Sequence, residues 1–292
     1  MESNRKPDWL KIKLEAGANY PKVKRIVELN KLHTICSSGK CPNIGKCWSL
    51  GTATFMIAGD ICTRSCKFCA TATGKPFALD ENEPEKIAQS VFLMQLKHCV
   101  ITSVDRDDLF DKGAGHWAKT ITAIREKNPQ TTIEVLIPDF DGDKELLDKI
   151  FLHAAPNVMG HNMETVRRLS DQIRSRAKYP VSLSVIKHAA ERGLITKSGI
   201  MVGLGETEEE VISLMKDLRS VGCNLFTIGQ YLQPTKQNIE VKEYVTPEQF
   251  ERYKTIGMEL GFDHVESGPL VRSSYMAEQT FSEAKLNKSA KA

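Results

Sequence analysis

The chain has 292 residues, 41% of them hydrophobic and 26% charged, which is the composition of an ordinary globular protein and not of a disordered one. Its 40 Lys and Arg residues against 37 Asp and Glu residues leave a net charge of +3, too small for the basic surface of a nucleic-acid-binding protein. The sequence has neither an apolar signal-peptide core near its start nor a run of 18 apolar residues, so we expect a cytoplasmic protein without a membrane span.

From residue 52 onward, short β-rich apolar runs alternate with amphipathic stretches of helical length. This alternation is typical of repeated βα units around a parallel sheet. Six strands are predicted, at residues 52–59, 98–104, 131–137, 156–160, 198–204 and 224–231. Periodicity alone fits both a partly closed barrel and an open doubly wound sheet. Both folds bind ligands at the carboxyl ends of their strands.

Unusual residues gather at that edge of the predicted sheet. A cysteine-rich loop follows the first strand, an acidic run over 105–108 follows the second, His161-Asn162 follows the fourth, and a Gly-Glu-Thr sequence follows the fifth. Such an arrangement favours one active site. The acidic run has two interpretations. The usual one is a cluster of solvated charges, and the other is that the run forms part of the active site.

The first cysteine triplet lies in the sequence GDICTRSCKFCA, with Cys62, Cys66 and Cys69 in C-x3-C-x2-C spacing. A buried helical stripe is disfavoured because polar residues separate the thiols, and structural zinc usually takes four ligands. A four-iron cluster held by three thiolates leaves one iron free to bind a substrate or cofactor. We expect Arg64 and Lys67 to offset the negative charge of such a cluster. The spacing resembles that of the radical S-adenosylmethionine superfamily.

A second triplet lies upstream in CSSGKCPNIGKC, where Cys36, Cys41 and Cys47 have C-x4-C-x5-C spacing. No helix brings these positions to one face, and the Gly and Pro residues between them predict a loop. A zinc loop is one interpretation. A second iron–sulfur cluster is favoured, given the first.

Six motifs in order resemble the lipoyl synthase family across roughly residues 30–277. They are CSSGKCPNIGKCW, GDICTRSCKFC, SVDRDDL, KSGIMVGLGET, TIGQYLQPT and SGPLVRSSY. The resemblance implies a sulfurtransferase of lipoate biosynthesis, which inserts two sulfur atoms at C6 and C8 of a protein-bound octanoyl group to form the lipoyl cofactor. Breaking these unactivated C–H bonds is radical chemistry, which polar acid–base catalysis does not supply.

The resemblance also implies the cofactors, two [4Fe-4S] clusters and S-adenosyl-L-methionine. The first triplet would hold the cluster that binds S-adenosylmethionine, and the second an auxiliary cluster that donates sulfur. A serine of the closing motif Arg272–Tyr275 would be the fourth ligand of the auxiliary cluster, and we predict Ser273. Without the resemblance, these serines would be interpreted as hydroxyls of a turn or a helix cap.

Weaker assignments concern the binding of S-adenosylmethionine. The predicted contacts are Ser103, His161, Asn162, Gly203, Gly205 and Glu206. They end the second, fourth and fifth predicted strands, where the resemblance implies contacts to the methionine amino group, the ribose and the adenine. Core packing or turn formation explains each of them almost equally well. The following residues, Thr207 to Glu210, predict a capping box.

The implied partners are octanoylated lipoyl-carrier proteins or domains, a low-potential electron donor, and an iron–sulfur carrier that restores the auxiliary cluster. We expect neither nucleic acid nor a membrane. Three positions depart from the family pattern, namely Gly160, Lys112 and Asn238. They affect details of the cofactor pocket and of carrier docking, and none is a predicted cluster ligand.

We predict a partial (β/α)6 TIM-like barrel over residues 52–262. Residues 1–51 are an N-terminal extension with the auxiliary cysteines, and residues 263–292 are a C-terminal segment with the RSSY motif and a disordered tail of about a dozen residues. Cys99 and Cys223 are expected in the core.

Three other functions fit parts of the sequence. A biotin synthase-like enzyme would also insert sulfur, but the upstream triplet and the RSSY motif argue against it. A two-cluster electron carrier would need four thiolates for each cluster, and six clustered cysteines do not supply them. A zinc-stabilised binding module is distinguished by its metal content.

Overall fold

The computed structural model of the protein describes residues 6–12 and 17–291. The elements before the barrel are α1 (Tyr20–Leu29), β1 (His33–Thr34), α2 (Ile35–Ser38) and α3 (Ile44–Ser49). The later strands are β2 (Thr54–Ile57), β3 (Ile61–Cys62), β4 (Ala72–Thr73), β5 (His98–Ser103), β6 (Thr132–Leu136), β7 (Val158–Gly160), β8 (Ile195–Val202), β9 (Leu225–Gln230) and β10 (His264–Gly268). The later helices are α4 (Glu83–Met94), α5 (Ala114–Lys127), α6 (Lys144–Asp148), α7 (Arg167–Ile173), α8 (Tyr179–Glu191), α9 (Glu208–Ser220), α10 (Pro247–Glu259) and α11 (Ala277–Lys291).

One sheet contains eight strands in the order β1-β2-β5-β6-β7-β8-β9-β10. All neighbours are parallel except β1, which pairs antiparallel with β2. Because β1 and β10 are the two ends of this order, the barrel is open between them. The predicted partial barrel of six βα units is therefore confirmed, with one extra strand at each end that the sequence pattern did not predict.

The parallel strands form where the chain is apolar on both faces. Every residue of β2 and of β9 is buried, as expected for strands that face the barrel interior on one side and helices on the other. Cys99 and Cys223 are fully buried, as predicted. The strand β8 begins at Ile195, three residues before the predicted start. The prediction started too late because Lys197 is a charged residue and charged residues are rarely buried in a strand, whereas here it is buried.

The helices begin where the sequence offers a cap. Thr207 and Glu210 form the predicted capping box at the start of α9, with the side chain of each bonded to the backbone of the other. Thr246 accepts the backbone N–H of Gln249 at the start of α10. Among the described residues, no helix is both long and apolar enough to cross a bilayer.

The C-terminal tail was predicted to be disordered, and this is wrong for the part that packs on the barrel. Helix α11 occupies Ala277–Lys291, and its Phe281 and Ala284 are buried. They pack against Val158 and Leu225, the first residues of β7 and β9, so α11 covers the amino end of the barrel. A single aromatic residue in a polar segment gives no periodic signal, which is why the sequence pattern missed it. The division at residues 52 and 263 stays a prediction.

Candidate active site

A cavity of about 510 Å³ lies inside the barrel. Strands on both sides line it, including Met56 of β2, Leu136 of β6 and Thr227 of β9. Five of the six predicted cluster cysteines also line it: Cys36, Cys41, Cys62, Cys66 and Cys69. The cavity is therefore the place where both thiol triplets meet the same space.

All eight cysteines are free thiols. Among the described residues, no three Cys, His, Asp or Glu side chains meet closely enough to enclose a single metal ion. Burial and, to a smaller extent, the neighbouring Asp105 carboxylate raise the pKa of the Cys62 thiol to about 12. Metal binding at such thiols must release protons, because only the thiolate is a ligand.

Arg64 fixes the first cysteine loop from within. Its side chain is 5% exposed, and its nitrogens lie 2.8 Å from Asp107 Oδ1, 2.9 Å from Asp139 Oδ1 and 3.2 Å from Asp105 Oδ1. The guanidinium of Arg64 is thus already paired with carboxylates, and its effect on the charge of a cluster stays a prediction. The acidic run is therefore largely a set of partly buried ion-pair partners of Arg64 and Arg106.

The chain enters this loop through a strained residue. Ala58 follows β2 with φ of +67°, a left-handed conformation that costs a residue with a side chain roughly 1–2 kcal/mol. Its N–H donates to Glu83 Oε2 at 2.8 Å, and its carbonyl accepts from Arg106 at 3.0 Å. The same Glu83 oxygen lies 2.5 Å from His116 Nε2. The buried side chains of Glu83 and Arg106 thus hold both backbone polar groups of Ala58, the residue from which the cysteine loop departs.

A third group of contacts holds the far side of the loop. The N–H of Lys67 donates to the carbonyl of Ile173 at 2.9 Å. Asn238 Nδ2 donates to the carbonyl of Cys69 at 2.8 Å and to that of Lys67 at 3.2 Å. Asn238, one of the departures from the family pattern, is therefore a direct support of the cysteine loop. Lys112, another departure, lies outside this loop and donates to Asp141 at 2.6 Å.

The second triplet lies beside the amino end of β2. Thr34 caps α2, which carries Cys36, and the Cys36 thiol lies near Thr54, the first residue of β2. Burial and, to a smaller extent, the neighbouring Cys36 and Cys41 thiols raise the pKa of Cys47 to about 12. These mutual effects place the three thiols in one neighbourhood, although their sulfur atoms do not converge on a single point.

The two triplets are therefore at opposite ends of one strand. The first loop leaves the carboxyl end of β2 after Ile57, whereas Cys36 contacts Thr54 at its amino end. A parallel strand rises about 3.3 Å per residue, so the length of β2 separates these ends by roughly 10 Å. The cavity connects them through the barrel interior.

The RSSY motif spans the open side of the barrel. The carbonyl of Leu270, just before the motif, accepts Asn43 Nδ2 at 2.6 Å, and the Tyr275 hydroxyl accepts Lys46 Nζ at 2.9 Å. These bonds tie the motif to the segment with the second triplet. Between them, the side chains of Arg272, Ser273 and Ser274 line the cavity.

The two serines face different partners. Ser273 Oγ accepts Asn162 Nδ2 at 2.7 Å, beside β8. Ser274 Oγ accepts Thr54 Oγ1 at 2.8 Å, and Thr54 also contacts Cys36. Arg272 is close enough to Cys41 that its positive charge lowers the pKa of that thiol, although burial raises it more. The structure thus brings Ser274 to the side of the second triplet, whereas Ser273 contacts Asn162 just after β7.

Three of the predicted cofactor contacts line the cavity, and they differ in how many hydrogen bonds their side chains already make. The Ser103 hydroxyl is buried and has no hydrogen-bond partner among the described residues, although it lines the cavity. Asn162 lines the cavity and bonds Ser273. His161 has both ring nitrogens bonded, Nδ1 to the carbonyl of Ile137 and Nε2 to Ser182, each at 2.9 Å. Its ring is therefore a satisfied core group.

The other three predicted contacts lie away from the cavity wall. Glu206 accepts the N–H of Gly203 at 2.5 Å and that of Leu204 at 2.9 Å, so its carboxylate closes the loop after β8. Gly203 has φ of +94°, and a Cβ there would collide with Gln230. Gly205 also has a positive φ, of +101°. The part of β8 that does line the cavity is Gly199 to Met201.

The sequence analysis missed charged residues that line the cavity, among them Glu164 and Arg174. Glu164 has φ of +65° and lies near Asn162, and burial raises the pKa of its carboxyl group. Arg174 is 8% exposed and donates to Ser182 at 2.7 Å. Glu164 could have been found by its position two residues after Asn162 at a strand end, whereas nothing in the sequence singles out Arg174.

A family model described as the Radical SAM superfamily matches residues 56–218. The lipoyl synthase of Parabacteroides distasonis is 63% identical over 275 residues, covering 94% of this chain and 98% of that protein. The mitochondrial lipoyl synthase of Nematostella vectensis is 58% identical and covers 94% of both chains. This chain belongs to the lipoyl synthase family.

Solved structures support the fold of this lipoyl synthase family member. Methylornithine synthase has a TM-score of 0.56 at 13% identity, covering 84% of this chain and 74% of that one. SuiB of Streptococcus suis, bound to S-adenosylmethionine, has a TM-score of 0.56 at 12% identity, covering 88% and 59%.

Family membership confirms the prediction of a radical SAM enzyme that transfers sulfur. It also confirms one [4Fe-4S] cluster and S-adenosylmethionine as cofactors of the superfamily. The auxiliary cluster and the individual ligands stay predictions.

Proposed function

We propose that this protein inserts two sulfur atoms, at C6 and C8, into an octanoyl group attached to a lysine of a carrier protein or domain. One observation carries the proposal most directly: two thiol triplets open onto one cavity from opposite ends of a strand about 10 Å long. An alkyl chain lying between them would be within reach of a radical source on one side and a sulfur source on the other.

The residues at the first triplet fit a three-thiolate cluster with S-adenosylmethionine. The loop of Cys62, Cys66 and Cys69 is held by buried contacts, which suits a site that must keep one iron accessible. The unpartnered Ser103 hydroxyl is a hydrogen-bonding group left over in the cavity wall, as a bound amino group would require.

We assign the polar ends of the cofactor to residues with free capacity. Arg174 would bind the methionine carboxylate, since it lies near Cys66 and is buried. Asn162 and Glu164 would bind the ribose hydroxyls. His161 would orient this loop, because both of its nitrogens are already bonded.

When bound, the cofactors would supply hydrogen abstraction by a radical and the sulfur atoms. The chain's own residues hold and orient the reactants. The apolar wall, including Met56, Val100 and Leu136, would bind the alkyl chain and exclude water from it. Asn162 contributes to both sides, because it donates a hydrogen bond to Ser273 and lies near Glu164.

Cys36, Cys41, Cys47 and Ser273 would hold the auxiliary cluster. A hydroxyl is a weaker ligand for iron–sulfur centres than a thiolate, which suits a ligand that must leave. Ser274 is the alternative ligand, because its partner Thr54 contacts Cys36. Ser273→Ala and Ser274→Ala variants distinguish them: the ligand variant loses auxiliary iron during gel filtration, whereas the other variant keeps it.

The proposed partners follow from the reaction. An octanoylated carrier presents the substrate, and a low-potential donor supplies electrons. An iron–sulfur carrier would restore an auxiliary cluster that has given up its sulfur.

The first test is the iron, sulfide and zinc content of protein reconstituted without oxygen. About eight irons and eight sulfides per chain are expected for two four-iron clusters. A Cys36→Ala/Cys41→Ala/Cys47→Ala variant should keep about four irons and cleave S-adenosylmethionine without inserting sulfur. Zinc without iron, or lipoyl formation by this variant at the normal rate, would contradict the proposal.

A further inference from the structure

A charged layer lies at the bottom of the cavity. Glu134 of β6 and Lys197 of β8 form an ion pair with an Oε1–Nζ distance of 2.7 Å, and their side chains are 4% and 3% exposed. His98 Nε2 lies 3.3 Å from the other oxygen of Glu134. Burying two charges costs free energy that their attraction does not always recover. A buried ion pair beneath an apolar cavity is therefore not explained by stability alone, and it requires a functional explanation.

The strand register shows that this layer is the lowest part of the cavity. Glu134 pairs with Val100 of β5, both line the cavity, and Leu136 lines it one layer above. One layer below, His98 Nδ1 and Thr132 Oγ1 are bonded to each other at 2.8 Å. The cavity wall thus changes from apolar to charged at Glu134 and is closed beneath it.

Helix α11 supports this layer from outside. The Phe281 ring lies 5.7 Å from the His98 ring and packs against Val158 and Leu225 at the amino ends of their strands. A carboxylate oxygen of Glu283 lies 3.1 Å from His264 Nδ1 in the same region. The charged layer is therefore fixed between the cavity and a packed helix.

The acyl chain of the proposed reaction would point its methyl end at this layer. A carrier protein is too large to enter the barrel, so the lysine attachment stays at the mouth and the terminal carbon is the deepest atom. Resting on that proposed function, we propose that the Glu134–Lys197 pair is the floor of the acyl site and limits it to octanoyl-length chains. A longer chain would bring methylene groups into contact with the Glu134 carboxylate. Displacing this carboxylate would leave the buried charge of Lys197 without its partner, which is costly.

Binding of acyl-lysine peptides tests this without turnover. The probes are one short peptide whose lysine carries a hexanoyl, octanoyl, decanoyl or dodecanoyl group, measured by calorimetry with the reconstituted protein and no reductant. Affinity should rise from hexanoyl to octanoyl and fall at least tenfold for decanoyl. Burial of two more methylenes alone would instead raise affinity roughly tenfold. A continued rise through dodecanoyl overturns the inference, and this ladder needs no variant.

A Glu134→Leu/Lys197→Met variant removes both charges with little change of volume. This variant should raise the ratio of decanoyl-peptide affinity to octanoyl-peptide affinity at least tenfold relative to the wild type. The control Glu208→Leu/Arg252→Met removes an exposed ion pair of 2.6 Å between α9 and α10, and should leave the preference unchanged. An unaltered octanoyl preference in the folded floor variant overturns the inference but not the proposed reaction. Failure of the wild type to bind any acyl peptide overturns both.

Discussion

Replacing Glu83 tests whether the start of the cysteine loop is held by the contacts described above. Glu83 is 6% exposed and accepts the buried N–H of Ala58 at 2.8 Å and His116 Nε2 at 2.5 Å. A buried donor left without its acceptor costs about 1–3 kcal/mol. With two donors affected, Glu83→Ala should lower the free energy of unfolding by about 3 kcal/mol. Glu83→Gln keeps an acceptor for Ala58 and should cost only about 1 kcal/mol.

Two measurements separate loop positioning from general stability. Urea unfolding of the iron-free protein gives the free energy of unfolding, and release of iron from the reconstituted protein to a chelator reports the cysteine loop. Glu83→Ala should speed iron release several-fold, with Glu83→Gln in between. Glu208→Ala, a change at an exposed ion pair, is the control and should have little effect. Equal stability of the Ala and Gln variants, or unchanged iron release despite lost stability, would refute the reasoning.

Three further changes address other parts of the site. Asp107→Asn removes the charged bidentate partner of the buried Arg64. The free energy of unfolding in urea should fall by about 3 kcal/mol, and a fall of less than about 1 kcal/mol would contradict this account. Burial lowers the pKa of His161 to about 4, so the unfolded chain takes up the proton first as pH falls from 6.5. Wild type should therefore lose about 3 kcal/mol relative to His161→Gln between pH 6.5 and 4, and parallel pH profiles would exclude this. Asn43→Ala removes the 2.6 Å bond to Leu270 and should increase amide exchange over 269–275, whereas unchanged exchange would show that other contacts hold the motif.

Much of the candidate site was predictable because its chemistry depends on residue type and spacing. Three thiols at C-x3-C-x2-C spacing after an apolar strand indicate a cluster loop without knowledge of the fold. The assignments that depended on a strand end alone were weaker. Ser103 reaches the cavity, but His161 is fully bonded in the core and Glu206 closes its own loop.

The missed features share one cause, which is that their partners are far away in sequence. Arg64 meets aspartates more than 40 residues later, and Asn238 meets the cysteine loop across 169 residues. Lys197 gives the start of β8 a polar sequence pattern, although the residue is buried. Its burial depends on an ion pair with Glu134, which lies 63 residues earlier in the chain. Local pattern carries no information on such pairs.

The sequence by itself determined the βα repeat, the two thiol triplets and the family resemblance, because apolar periodicity and ligand spacing are local properties of the chain. Only the tertiary structure decided that the triplets lie at opposite ends of β2, that the RSSY motif spans the open side of the barrel, and that α11 covers its amino end. These arrangements arise when distant segments bury apolar surface and satisfy buried polar groups together, so no single segment specifies them.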